Sequence, residues 1–245
     1  MNRMYAMVCL AIFTLAGLGV IAQKANTLTS KERKAGWQLL FDGKTTKGWR
    51  GAYMNSFPGT GWKVENDELR GELSSGAESG DAGDIVTLKK YKDFELVFDW
   101  KLGPGGNSGV KYFIEERQPK PAKGSQAGYE YQLIDDANYI YNDKPLPPNL
   151  KTASIYDVVA AQKPDIKVNV WHSSRIVVRD NHIEHWLDGV KVLDTNRGSE
   201  EFKKGLAAGK FNSYEGFDRI PSGHILLQDH GHSVAFKNIK IKEKK

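Results

Sequence analysis

Proton transfer in this chain would fall to its buried-looking carboxylates and its histidines. In Tyr129–Ile134 the two-residue period of a strand puts Glu130 and Gln132 on one face, with Tyr129, Tyr131 and Leu133 on the other. The second set suits a core, so Glu130 and Gln132 are expected to face a cleft or solvent. In His224–His230, Ile225 and Leu227 share a face, while His224, Gln228 and His230 share the opposite one with Leu226. All six histidines fall between His172 and His232, so neighbouring strands could gather several on one surface. His185 is in phase with Ile183 and Leu187, the pattern of a core histidine, yet that clustering makes it a candidate too. His230-Gly231-His232 has the spacing that would offer two imidazoles to a divalent metal, although the glycine points to a strand end. Gly105-Gly106-Asn107-Ser108-Gly109 brings backbone close to whatever Asn107 serves, which a tight turn alone does not explain. Asp135-Asp136 stands at a strand end, where aspartates commonly satisfy turn amides.

The elements that must position these residues read as strands almost throughout. Alternating segments rich in β-branched and aromatic residues recur at Trp37–Phe41, Trp62–Glu65, Glu68–Glu72, Ile85–Thr87, Phe94–Leu102, Gly109–Glu115, Tyr129–Ile134, Arg175–Arg179, His182–Leu187, Val190–Asp194, His224–Gln228 and Val234–Lys242. Asp188-Gly189 between apolar residues is a strong two-residue hairpin signal. Many short strands without long helical periods predict an all-β sandwich or barrel. Thr29-Ser30-Lys31-Glu32 has capping-box spacing and predicts a short helix to about Ala35. Two stretches break the rhythm: a polar loop from Gln118 to Ala127, and Asp136 to Val170 with four prolines and a short helix expected near Ile155–Ala161. Long loops in compact domains often wall a site, and Tyr139, Tyr141 or Tyr156 would serve there. Trp37, Trp100, Trp171 and Trp186 lie in apolar patterns and read as core.

Arg3 followed by the apolar run Ala6 to Ile21, with Val20 and Ala22 before Gln23, reads as a secretory signal over residues 1–22. The only cysteine, Cys9, lies within it, so a mature chain would carry none. That combination suits a bacterial periplasm or cell envelope, with no membrane span after signal removal. Residues 23–35 read as linker and short helix, and 36–245 as one sandwich domain. The net charge of +5 is spread along the chain, and the lysine-rich tail from Lys237 reads as a solvated strand rather than a nucleic-acid patch. No P-loop, dinucleotide fingerprint or zinc-finger spacing occurs.

Several segments, in order, resemble the 3-keto-disaccharide hydrolase family (DUF1080). They are Gly36–Lys44 with Gly48-Trp49-Arg50, Tyr91–Leu96, Gly105–Tyr112, Gly128–Asp135, His185–Gly189, Gly223–Gly231 and Phe236–Ile241. The resemblance implies a concanavalin A-like two-sheet jelly roll of the lectin and glucanase type, with a carbohydrate cleft on its concave face. It also implies cleavage of glycosides already oxidised to a ketone at C3, by hydrolysis or by elimination and hydration. The Glu-x-Asp-x-x-Glu strand of laminarinase-type enzymes is missing, because Glu65-Asn66-Asp67 is followed by Arg70. Keto-sugar chemistry needs a base at C2, donors at the C3 oxygen and an acid at the leaving group. Glu130 or His185 is the expected base and His230 the acid. Asn107, Lys111, Gln132, Gln228 and Asp135 are expected to bind the oxidised glucoside or disaccharide. No cofactor is required by this scheme, with a divalent metal left open. A non-catalytic carbohydrate-binding module and a structural envelope domain are the rival readings, and the polar group around Glu130 and His230 disfavours the second.

Overall fold

The computed structural model describes residues 23–74, 83–116, 127–214 and 216–244. The expected signal segment, Cys9 and most of the 118–127 loop lie outside those residues. In chain order the strands are β1 (Gln38–Leu39), β2 (Trp49–Gly51), β3 (Trp62–Glu65), β4 (Glu68–Gly71), β5 (Ile85–Tyr91), β6 (Phe94–Leu102), β7 (Asn107–Glu115) and β8 (Ala127–Ile134). They continue with β9 (Ile140–Tyr141), β10 (Lys144–Pro145), β11 (His172–Arg179), β12 (His182–Leu187), β13 (Val190–Asn196), β14 (Gly223–Leu227) and β15 (Val234–Glu243). Two α-helices, α1 (Ser30–Lys34) and α2 (Glu200–Ala208), accompany them.

Thirteen of these strands form two antiparallel sheets face to face, and β9 and β10 pair apart as a hairpin. The large sheet runs β13-β12-β11-β6-β15-β4-β3, with β1 also on β15; the small sheet runs β2-β5-β14-β7-β8. The expected concanavalin-like two-sheet sandwich is what forms. In β6 every second residue from Phe94 to Leu102 is buried, so one face enters the core and the other stays wet. Phe98, Trp100, Ile176 and Ile183 from the large sheet meet Tyr112, Tyr129, Tyr131 and Leu133 from the small one in a single apolar cluster. Strand β7 behaves differently: it is buried on both faces from Asn107 to Ile114. Its core face carries Ser108, Val110 and Tyr112, and its other face carries Asn107, Gly109 and Lys111. Something polar therefore lies covered on the outer side of the small sheet.

Local signals set the connections. Asp188 (φ 48°) and Gly189 (φ 82°) both take left-handed backbone in the β12–β13 turn, as the two-residue hairpin requires. The Thr29 hydroxyl accepts from Glu32 N at 3.1 Å and Glu32 reaches back to Thr29 N, completing the capping box of α1. The helix expected near Ile155–Ala161 does not form. Ile155 instead bridges Tyr131 and Val159, so this segment extends the β8 edge. Helix α2, which was not expected, is capped by Ser199 and plants Phe202 against Tyr129, ring centroids 5.7 Å apart. It sits close to that segment because residue 205 is glycine: a Cβ there would stand 1.9 Å from the Val158 carbonyl oxygen.

Candidate functional site

A small polar cleft lies on the outer face of the small sheet, with a volume of about 50 Å³ and walls of Asn107, Glu130, Gln132, Tyr156, Lys210, Gln228 and His230. Strand pairing assembles it. Gly109 opposes Gln132 and Lys111 opposes Glu130 across β7 and β8, so alternate residues of two strands reach the same face. Gln228 continues β14: its N–H donates to the Gly109 carbonyl at 2.9 Å, and its own carbonyl accepts from the Ser108 hydroxyl at 2.9 Å. A Cβ on Gly109 would come within 2.4 Å of Glu130 Oε1, so the missing side chain is what gives the Glu130 carboxylate its place. From the other side, Asp157 Oδ2 accepts from Lys210 N at 2.7 Å and fixes the end of α2 beside Tyr156.

The electrostatics are those of a dry site. Glu130 is 6 % and Lys111 2 % exposed, and Lys111 Nζ stands 3.4 Å from Glu130 Oε2. Behind this pair, Asp84 accepts from Asp229 N at 2.9 Å, while Asp229 accepts from Gly83 N at 3.1 Å and Gly231 N at 2.9 Å. Burial pushes the Asp84 carboxyl up to about 6, against the opposing pull of Lys111 and the Asp229 N–H. Two acceptors on the cleft residues are left without a hydrogen-bond partner: Asn107 Oδ1 and Gln228 Oε1. Buried amide oxygens are normally satisfied, and leaving one unpaired costs roughly 1–3 kcal/mol. Two such atoms on one small cleft suit a ligand rich in hydroxyl donors. Gln132 Oε1 is occupied by Leu133 N at 3.1 Å, which leaves its NH₂ end for an incoming oxygen.

The structure brings Glu130, Lys111, Asn107, Gln132, Gln228 and His230 together, and it does not bring His185 or Asp135 to them. His185 is fully buried between the sheets, its Nδ1 2.7 Å from the Ala153 carbonyl and its Nε2 3.0 Å from the Tyr112 hydroxyl. Burial drives its imidazole down to about 4, and the Ala153 bond offsets this only in part. The alternation that places Ile183 and Leu187 in the core places His185 there too. Asp135 is a turn staple: Gly105 N donates to it at 2.8 Å, and Asn138 donates through backbone and side chain. Burial alone would raise its carboxyl, but these N–H donors outweigh it and hold the group below the usual range. Asp136 likewise accepts from Thr152 N at 2.7 Å and from Lys163, tethering the long loop.

The six histidines divide between the sheets instead of gathering. His172, His182 and His185 belong to the large sheet and His224 to β14 of the small one, while His230 and His232 stack at the cleft end with centroids 5.5 Å apart. Among the described residues, the one group of three metal-type ligands is His182, Glu184 and Asp194, on the outer face of the large sheet. Lys191 already places its ammonium against Asp194 there, so the group is an ion-pair network. Of the expected aromatic walls, Tyr156 lines the cleft and Tyr139 receives a 3.4 Å bond from Asn107 Nδ2, whereas Tyr141 sits in the exposed β9–β10 hairpin. Lys210 and Asp84 were not anticipated. Lys210 follows an unexpected helix, and Asp84 carries no strand signal of its own. A larger apolar groove of about 340 Å³, by Ile166, Leu187 and Val192, has no comparable convergence of buried polar groups.

Residues 36–242 match the family model described as the 3-keto-alpha-glucoside-1,2-lyase-like domain. A 3-keto-disaccharide hydrolase of Bacteroides thetaiotaomicron is 31% identical over 227 residues, covering 84% of this chain and 78% of that protein. A Parabacteroides distasonis crystal structure, provisionally named a glycosyl hydrolase, superposes with a TM-score of 0.78 at 34% identity, covering 91% of this chain and 100% of that one. The carbohydrate-binding module CBM66 of Bacillus subtilis shares the fold alone, with a TM-score of 0.50 at 15% identity over 80% of this chain and 96% of that one. With its cleft built from the outer face of the small sheet, this chain belongs to the 3-keto-alpha-glucoside-1,2-lyase-like family.

Proposed function

We propose that this chain is an exported carbohydrate-active enzyme that cleaves the glycosidic bond of glucosides or disaccharides bearing a ketone at C3. The observation that carries the reading is the buried Glu130 beside two unsatisfied amide oxygens in one small cleft. Asn107 Oδ1 and Gln228 Oε1 accept sugar hydroxyls and thereby fix the ring over Glu130. The ketone makes the C2 proton acidic, and the Glu130 carboxylate removes it. The electron pair passes to the C3 oxygen, where the Gln132 NH₂ group meets the developing charge. The enolate then collapses, a C1=C2 double bond forms, and the C1–O bond breaks. His230 gives its proton to the departing oxygen. Water then adds its hydroxyl at C1 and gives its other proton to His230, while Glu130, its proton exchanged with solvent once the aglycone has left, reprotonates C2 and completes a net hydrolysis.

Neither acidic pair singled out in the sequence reaches this cleft: Asp135 is tied into its turn, and Glu65 and Asp67 lie in the β3–β4 hairpin of the other sheet. The signal-like first 22 residues and the cysteine-free remainder support export. The deciding experiment incubates the purified protein with an aryl 3-keto-glucoside and the matching unoxidised glucoside. Release of the phenol from the keto compound alone is expected. Release from both overturns the keto-sugar reading, and tight binding of both without release makes the chain a binding module.

A further inference from the structure

One end of the cleft lies where β8 and β14 finish and β7 begins, and the side chains just beyond it are aromatic. Gln228 and His230 follow β14, and Asn107 starts β7 opposite Ile134, the last residue of β8. After His230 the chain turns at Gly231, whose backbone is left-handed at φ 68°. That turn lets His232 stack on His230, with centroids 5.5 Å and planes 27° apart. Tyr139 meets His232 edge to face at 6.4 Å, and its hydroxyl accepts from Asn107 Nδ2 at 3.4 Å. Three rings therefore run outward in series from the cleft wall.

This rim is built firmly and left incomplete. Tyr139 N donates to the Asp135 carbonyl at 3.0 Å, and the Tyr139 ring packs on Ile134, Leu146 and Leu150. Tyr139 and His232 are both only half-buried. His232 Nδ1 is buried with no hydrogen-bond partner among the described residues, like Asn107 Oδ1 and Gln228 Oε1 within the cleft. A neutral imidazole can donate or accept at that nitrogen. The cleft itself, at about 50 Å³, is far smaller than the roughly 300–1,000 Å³ that enclose a small ligand. Only part of a substrate fits inside, and the remainder has to lie on the rim.

Taking His230 as the acid of the proposed reaction, we infer that His232 and Tyr139 form the subsite for the leaving group, and that this group is a hydroxyl-bearing ring. The oxygen that His230 protonates links the keto-sugar to what departs, so the departing group lies beside His230, where the two further rings stand. Its apolar face rests on Tyr139. One of its hydroxyls pairs with His232 Nδ1. A second sugar and a hydroxylated phenol share this chemistry.

The test compares kcat/KM for 3-keto-glucosides with methyl, glucosyl and 2-hydroxyphenyl leaving groups, each measured in wild type and in variants so that intrinsic reactivity cancels. Tyr139→Ala and His232→Ala are each expected to lose roughly tenfold more on a hydroxylated ring than on the methyl compound. The compound with the extra loss identifies the leaving group as sugar or phenol. Tyr139→Phe keeps the ring and is expected to keep the preference. An equal loss on all three compounds overturns the inference, and if Tyr139→Ala fails to fold, His232→Ala decides alone. Dissociation constants measured in Glu130→Gln, with and without His232→Ala, need no turnover. Discrimination in binding by a wild type that releases nothing contradicts the functional reading and leaves the subsite standing. Turnover of the keto compounds without any discrimination does the reverse.

Discussion

The outer faces of the two sheets carry similar residue types and use them in opposite ways. On the large sheet, charges are half-exposed and paired among themselves: Arg175 with Glu95 at 3.2 Å, Lys242 with Glu95 at 3.1 Å, Lys191 with Asp194. Its tryptophans are covered by cations, Arg175 lying 4.0 Å over Trp186 and Lys237 3.8 Å over Trp171. On the small sheet, Lys111, Glu130 and Gln132 are buried, and two amide oxygens lack partners. A solvated face can satisfy every polar group cheaply, whereas a dry face with unsatisfied groups holds a cost that folding alone does not require. That cost is the mark of a site.

Six perturbations sharpen or break this contrast. Glu130→Gln is expected to lower kcat by about 10²–10⁴, the usual worth of a positioned general base. Glu184→Gln, on the large-sheet face, leaves kcat unchanged in the same assay. Lys111→Met strands a buried carboxylate and is expected to cost about 3–5 kcal/mol in denaturant unfolding. Breaking the Arg175–Glu95 pair, with Arg175 35% exposed, costs only about 0–1 kcal/mol. His185, between the faces, reports on the core through pH. With its folded value at about 4 against an ordinary 6.5, its contribution is fully present above about 6.5 and is lost as pH falls towards 4. Roughly 3 kcal/mol is at stake, and His185→Gln should flatten that part of the unfolding profile. Gly109→Ala sets a Cβ 2.4 Å from Glu130 Oε1 and 3.0 Å from its Cγ and Cδ, so the buried carboxylate arm as a whole must shift. It is expected to lower both Tm and kcat, with about tenfold to a hundredfold lost in kcat.

Much of this was legible in the residues. Strict alternation gave β6 and β12 their bounds and faces, and the same parity put Glu130 and Gln132 opposite the tyrosines. Parity was also right about His185 before the clustering of histidines argued otherwise; sequence proximity of His172 to His232 did not survive division between two sheets. Leu226 disturbed the β14 pattern for a physical reason. It lies on the outer face with His224, where alternation places it, and is buried there against Val86 and Ile114 in a small separate cluster. The three half-buried tryptophans read as core because the lysines and arginines that cover them on the outer face are distant in sequence. Only Trp100 of the four is fully buried. The lysine-rich tail is a central strand of the large sheet, with its lysines turned to solvent. Asp84 was invisible because its character comes from burial beside Lys111 and Asp229, not from its own neighbours.

The central claim is that the small-sheet face removes a proton from C2. A 3-keto-glucoside deuterated at C2 tests it most directly. The account predicts a primary isotope effect on aglycone release and loss of the label to solvent, both abolished with turnover in Glu130→Gln. Aglycone release at an unchanged rate, with deuterium retained at C2, would contradict it.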